Sequence, residues 1–278
     1  IGGWVIKYLI SFVTGQVSQA AGDNYFTGFI TESVEPIVWF AVFLLLTAAV
    51  VFIGVQKGIE KASTILMPIL IILIVCISIF CATRPGALAG VKYYLLPDIK
   101  HFSATTVLAA MGQLFYSMSL AMGIMITYGS YMKKEDDLRD SVRKIEIFDT
   151  VVALLAGLMI VPSVFAFSGG SKEALSKGPS LMFVTMPKVF NSMKIGSLIG
   201  AGFFILVLFA ALTSAISLLE TNVSIICDKL HWSRKKSTVV ATLYCLIVGG
   251  LISLGYGPLS FIKIIGMNLL DFFDFISN

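Results

Sequence analysis

Residues 112–130 read GQLFYSMSLAMGIMITYGS. They lie inside an apolar run, 104–131, long enough to cross a bilayer, which takes about 20 residues of helix. Yet the run holds Gln113, Tyr116, Ser117 and Ser119 beside the small residues Ala121 and Gly123. A helix facing lipid on all sides avoids such a cluster, because polar side chains inside a membrane turn toward a bundle interior or an aqueous cavity.

The rest of the chain supports a membrane setting for this run. Of its 278 residues, 57% are hydrophobic and 13% charged, against about 25% charged in soluble domains. That composition excludes a disordered chain, a nucleic-acid module, a disulfide-stapled secreted domain and a coiled coil. A transmembrane barrel shows alternating segments of about 10 residues, whereas these runs are unbroken. The fold class is therefore an all-α polytopic membrane protein, whose helices satisfy their own backbone polar groups in lipid.

Six runs reach spanning length: 36–56, 63–82, 104–131, 146–168, 196–227 and 237–256. Partial spans lie at 1–14 and 260–278, so the chain reads as one transmembrane domain over 1–278, incomplete at both ends. The connecting loops sort into two sets. Loops 57–62, 132–145 and 228–236 are shorter and more basic; in the other set, loop 15–35 has no Lys or Arg, and loops 83–103 and 169–195 have seven between them. The basic set is expected in the cytoplasm, with the chain in the cell (inner) membrane. Loop 169–195 has apolar residues at helical spacing and is expected to fold back as a short helical cap. Cys76, Cys81, Cys227 and Cys245 lack metal-ligand spacing and read as small buried apolar residues. His101 and His231 stand far apart, and no nucleophile, acid–base set or metal cluster converges, so an enzyme is not indicated.

Two more spans carry polar groups: Asp149 in 146–168, and Thr213, Ser214, Ser217 and Glu220 in 196–227. A charge at a helix centre costs roughly 2.5–3.5 kcal/mol on insertion scales. The bland readings are hydroxyls bonded back to their own helix, an interfacial Asp149 reaching water, and a Glu220 serving only as an interhelical partner. Gly58 and Pro68 mark either a simple kink or a helix start able to unwind, since proline removes a donor and glycine permits unusual φ values.

Five segments, taken in order, carry a resemblance: GVQKGIEKASTILMP, GQLFYSMSLAMGIMITYGSYMKK, FDTVVALLAGLMIVP, GPSLMFVTMPKVF and FAALTSAISLLE. Together they resemble the neurotransmitter:sodium symporter family, most closely its bacterial amino-acid transporters. The resemblance implies part of an inverted-repeat fold of five plus five helices, running from the middle of the third helix to the start of the tenth. It implies a broken helix at about 119–123.

The resemblance also implies roles. Tyr116, Ser117, Ser119, Leu120, Ala121, Met122, Ser217 and Leu218 would meet an amino acid. Ser117 and Asp149 would contribute to one Na⁺ site, and Ala210, Thr213 and Ser214 to a second, oxygen ligands being those a hard cation prefers. Gly58 and Pro68 match a spaced pair whose unwinding opens a cytoplasmic water path, and Asp274 matches an outer-gate acid. No organic cofactor is implied. Asp149 stands where many members have Asn, Ala153 where chloride-dependent members have Ser, and Ala121-Met122 where the leucine transporter has Gly-Phe. The implied function is Na⁺-coupled symport of an amino acid, apolar or aromatic to judge from Leu120, Ala121, Met122 and Leu218. An amino-acid-binding membrane sensor on the same fold is the alternative.

Overall fold

The computed structural model describes residues 1–96, 99, 102–120, 122–168 and 179–277, with only the backbone given for Gln56, Lys57 and Ser277. The helices in chain order are α1 (Gly2–Val13), α2 (Val17–Ala20), α3 (Tyr25–Thr31), α4 (Glu35–Ile53), α5 (Lys61–Ala82), α6 (Ala87–Leu95), α7 (Ala104–Ser117), α8 (Ile124–Tyr131), α9 (Leu138–Ser168), α10 (Met186–Asn191), α11 (Gly196–Leu230), α12 (Arg234–Leu254) and α13 (Leu269–Ser277). Wide π-helical turns at Val55–Glu60 and Leu181–Thr185 lead into α5 and α10. Among the described residues, five helical stretches are long and apolar enough to cross a membrane: Glu35–Ile53, Gly58–Ala82, Leu138–Ser168, Gly196–Leu230 and Arg234–Leu254. They correspond to five of the six runs read from the sequence. The sixth, 104–131, is split into α7 and α8.

Two boundaries differ from the sequence reading. Helix α9 starts at Leu138 rather than near 146, because the Asp137 carboxylate accepts from the backbone N–H of Arg139 at 2.9 Å and of Asp140 at 3.3 Å. Such a cap satisfies donors left orphaned in a first turn. The partial span at 260–278 becomes helical only at Leu269. Before it, Ile264 and Met267 exchange backbone hydrogen bonds at 3.0 Å across Ile265 (φ 53°) and Gly266 (φ 78°), a tight turn that no helix accommodates. The cysteine reading is also corrected: only Cys81 of the four is buried, Cys227 and Cys245 are half-buried and Cys76 is exposed. An apolar helix in lipid can turn a thiol outward without exposing it to water.

The chain divides into two compact units, Ile1–Leu70 with Ser176–Asn278, and Ile71–Leu175. In the first, α1 packs against α4 and α11 around an aromatic core. Tyr8, Phe12, Phe183, Phe203 and Phe204 are all essentially inaccessible. Phe26 stacks on Phe183 at 5.3 Å between centroids, and Trp4 meets Phe26 edge-on at 5.4 Å. Each such pair adds roughly 0.5–1.5 kcal/mol beyond its buried area. Gly200 lets Phe12 reach the α11 backbone, since a Cβ there would lie 2.1 Å from the ring. The expected helical character of 169–195 is found over Leu181–Asn191, while 169–178 lie outside the described residues. The Lys188 ammonium pairs with Asp23, between α2 and α3. It holds the Asp23 carboxyl below the usual carboxylate range, mainly through the hydrogen bond and then through charge.

In the second unit, the short helix α6 lies along α9. A Cβ at Gly90 would come within 2.7 Å of the Pro162 Cα, so only glycine permits this approach. Tyr94 donates its hydroxyl to the Ala153 carbonyl at 3.3 Å, and Ser78 donates to the Leu155 carbonyl at 2.8 Å. Helix α9 is thus held by two neighbours within two turns of Asp149.

Candidate functional site

The second unit holds the segment that opened the sequence reading. Helix α7 stops at Ser117 and α8 begins at Ile124, with Gly123 left-handed at φ 75° as its N-terminal cap. Ser119 is also left-handed, at φ 56°. For a residue with a Cβ this conformation is uncommon and costs free energy, so the surroundings must hold it. The local bonds show how the chain turns: Met118 N–H donates to the Leu114 carbonyl, Ser119 N–H to that of Tyr116, and Leu120 N–H to that of Phe115. The helical ladder is therefore broken between Ser117 and Ile124, within two residues of where the sequence placed it.

At this break the Ser117 hydroxyl donates to Asp149 Oδ1 at 2.7 Å. Two residues 32 positions apart, both assigned to one Na⁺ site by resemblance, are thus in direct contact. Asp149 is half-buried and Ser117 exposed. Tyr116 and Leu120 are exposed, Ser119 and Met122 half-buried, and Ala121 lies outside the described residues. Hydroxyl and carboxylate oxygens are donors that suit a hard cation such as Na⁺.

The first unit carries the other oxygens on α11. Thr213 donates to the Ala210 carbonyl at 3.0 Å and to that of Phe209 at 3.1 Å, and Ser217 donates to the Thr213 carbonyl at 3.0 Å. Ala210, Thr213 and Ser214 stand at i, i+3 and i+4, one face of a helix. The Thr213 and Ser217 hydroxyls thus bond back to their own helix, the usual disposition of Ser and Thr in spans. Each oxygen keeps a lone pair for a further partner. Ser214 and Leu218 are exposed and Ser217 half-buried. Gly58 lies in the wide turn at Val55–Glu60, where a Cβ would meet the Val50 carbonyl oxygen at 2.1 Å, and Pro68 stands inside α5. Asp274 is exposed on α13.

Glu220, read in the sequence as a possible interhelical partner, is that. Its carboxylate is fully buried and takes two bonds from the Arg234 guanidinium of α12, one of them 2.8 Å from Nη1 to Oε1. The same guanidinium donates to the Val51 carbonyl, at 3.0 Å from Nη2 and 3.3 Å from Nε. It therefore ties α12 to α11 and to the last turn of α4. Arg234 was counted in the sequence only as a loop cation. Its pairing was signalled by a lone acid in a neighbouring span needing a partner, but no spacing rule identifies which cation supplies it.

Comparison with known proteins agrees with this architecture. The profile of the Sodium:neurotransmitter symporter family matches residues 27–278. The chain is 37% identical over 282 residues to YhdH of Bacillus subtilis, an uncharacterized sodium-dependent transporter, covering 100% of the chain and 62% of that protein. It is 32% identical over 285 residues to an uncharacterized sodium-dependent transporter of Haemophilus influenzae, covering 100% and 62%. Among solved structures, MhsT in complex with L-phenylalanine is similar, with a TM-score of 0.88 and 39% identity over 100% of this chain and 63% of that one. The chain belongs to the sodium:neurotransmitter symporter family and is a multi-pass membrane protein of all-α fold. It spans somewhat over three-fifths of the length of these relatives.

Proposed function

We propose that this chain forms part of a Na⁺-coupled symporter that moves an amino acid, apolar or aromatic and of the L series, across the cell (inner) membrane by alternating access. The observation that carries the reading is the helix break between Ser117 and Ile124, with Ser117 bonded to Asp149 at 2.7 Å. A broken membrane helix frees backbone carbonyls and half-helix ends, groups suited to a zwitterion and a cation. The family membership and the MhsT–phenylalanine complex support the same reading.

In this reading Ser117 and Asp149 supply oxygens to one Na⁺, and Ala210, Thr213 and Ser214 to another. Tyr116, Ser117 and Ser119 face the substrate amine. Leu120, Ala121, Met122, Ser217 and Leu218 face its side chain, an assignment made from resemblance. Gly58, Pro68 and Asp274 serve gating, and loops 57–62, 132–145 and 228–236 face the cytoplasm. Coupling requires no covalent chemistry and no organic cofactor, because a cation and a zwitterion that favour one another's binding do so reciprocally. The test is uptake of labelled L-amino acids by the full-length protein in vesicles. Accumulation of an apolar or aromatic amino acid that requires an inward Na⁺ gradient is the expected result. Binding without accumulation would favour the sensor reading instead.

A further inference from the structure

The turn joining α11 to α12, residues 228–236, reads DKLHWSRKK. It connects two spans and therefore sits at a membrane–water boundary. It differs from the other two basic loops in its charge balance. Segment 132–145 carries five Lys and Arg against four Asp and Glu, and 57–62 two lysines against one glutamate. Segment 228–236 carries Lys229, Arg234, Lys235 and Lys236 against Asp228 alone. Arg234 is committed to the buried Glu220, which leaves three lysines facing one exposed acid.

What sets Lys235 and Lys236 of this turn apart is an aromatic ring beside each in place of a carboxylate. Elsewhere Lys7 pairs with Glu35, Lys188 with Asp23 and Lys144 with Asp140, and Lys61, Lys133 and Lys134 of the other basic loops have no ion pair among the described residues either. Lys229, Lys235 and Lys236 are exposed and, among the described residues, none pairs with a carboxylate. Lys236 Nζ lies 3.8 Å from the centroid of the Trp232 ring, and Lys235 Nζ lies 5.8 Å from that of Phe52 at the end of α4. An ammonium on an aromatic face keeps its charge and most of its N–H donors free for an anion. Trp232 is half-buried, as suits an indole at the headgroup level. The backbone beneath is fixed: His231 ends α11 in the left-handed region at φ 53°, and Arg234 clamps the start of α12 to Val51 and Glu220.

We infer that this turn is a docking surface for the phosphate headgroups of anionic membrane lipids. The occupant is lipid rather than a soluble phosphate because the cations stand beside an indole and Phe52 at the end of a span, where a headgroup and the top of an acyl chain can be met together. The inference stands apart from the transport reading. The positive-inside tendency alone explains basic loops in general. It does not explain why the charge is unbalanced here and nearly balanced in the other two.

The experiment uses the full-length protein in detergent, titrated with phosphatidylglycerol or phosphatidylcholine brominated near the glycerol end of the chains. Bromine quenches tryptophan fluorescence at close range, and the Trp232 component is the difference from the Trp232→Phe variant. Phosphatidylglycerol is expected to half-quench Trp232 at an at least about threefold lower lipid fraction than phosphatidylcholine, with the preference collapsing at high salt. Lys229→Gln/Lys235→Gln/Lys236→Gln should bring the two curves together without moving the phosphatidylcholine curve, and the corresponding Arg triple variant should retain the preference. If the Gln variant does not purify, Lys235→Gln against Lys235→Arg makes the same comparison. Coincident curves in the wild type, or a preference that survives loss of the lysine charges, would overturn the inference.

Discussion

Replacing Arg234 by Met tests the ion pair that holds the buried Glu220 carboxylate in the first unit. Met keeps much of the side chain's length and removes its charge and donors. Glu220 is 0% exposed, and it would lose both guanidinium bonds while the Val51 carbonyl loses two more. Breaking a buried ion pair by removing one partner costs about 3–5 kcal/mol, most of it the penalty of an uncompensated buried charge. At 1.4 kcal/mol per decade, 4 kcal/mol lowers the folded-to-unfolded ratio by roughly a thousandfold. Removing both partners together, as Arg234→Met/Glu220→Met, leaves no orphaned charge, and the expected cost falls to about 1 kcal/mol or less. The assay is equilibrium unfolding of the full-length protein in mixed micelles, comparing wild type, both single variants and the double. A single Arg234→Met variant within about 1 kcal/mol of wild type would mean that the carboxylate reaches water and that the buried-pair argument fails. A double variant as unstable as Arg234→Met would assign the loss to packing.

Three further outcomes are expected of the full-length protein. Thr213→Val with Ser214→Ala deletes two hydroxyls at nearly constant size; the half-saturating Na⁺ concentration for uptake should rise at least about tenfold with surface expression intact, and an unchanged Na⁺ dependence would mean that neither hydroxyl meets the cation. If, as the resemblance implies, Asp149 takes the place of chloride, uptake should continue when chloride is replaced by gluconate, and Asp149→Asn with Ala153→Ser should, if active, become chloride-dependent; a wild type that stops in gluconate would remove Asp149 from that role. The Asp23 carboxyl is held low by Lys188, so its contribution is present above the ordinary carboxylate pKa of about 3.9 and is lost as the pH falls through the lower folded-state value. Thermal stability of wild type and Asp23→Asn should accordingly differ slightly at pH 7 and converge only after the pH has fallen below the ordinary carboxylate pKa of about 3.9.

The polar residues show how far sequence reasoning reached the site. Ser117 and Asp149 could be paired in advance only by resemblance, since nothing in their 32-residue separation brings them together. The break at the centre of 104–131 was likewise implied by the family. Its backbone form, with Ser119 and Gly123 both left-handed, belongs to the folded chain. Thr213 and Ser214 were legible as a cluster on one helical face.

Hydrophobicity summed over about 20 residues is a property of composition, and so the spans, the fold class and the polar positions within them were determined by the sequence alone. Where an element begins or stops depends on single bonds: the Asp137 carboxylate starts α9 eight residues early, and the Ile264–Met267 turn delays α13 to Leu269. Partner choice depends on distances across the packed bundle, which no local pattern encodes. Arg234 is 14 residues from Glu220 and 183 from Val51, and only the folding of α4, α11 and α12 against one another makes a loop cation the partner of a buried acid. Among the described residues, the same packing leaves Lys229, Lys235 and Lys236 without a carboxylate, gives Lys235 and Lys236 aromatic neighbours instead, and so converts a basic stretch of sequence into a surface with charge to spare.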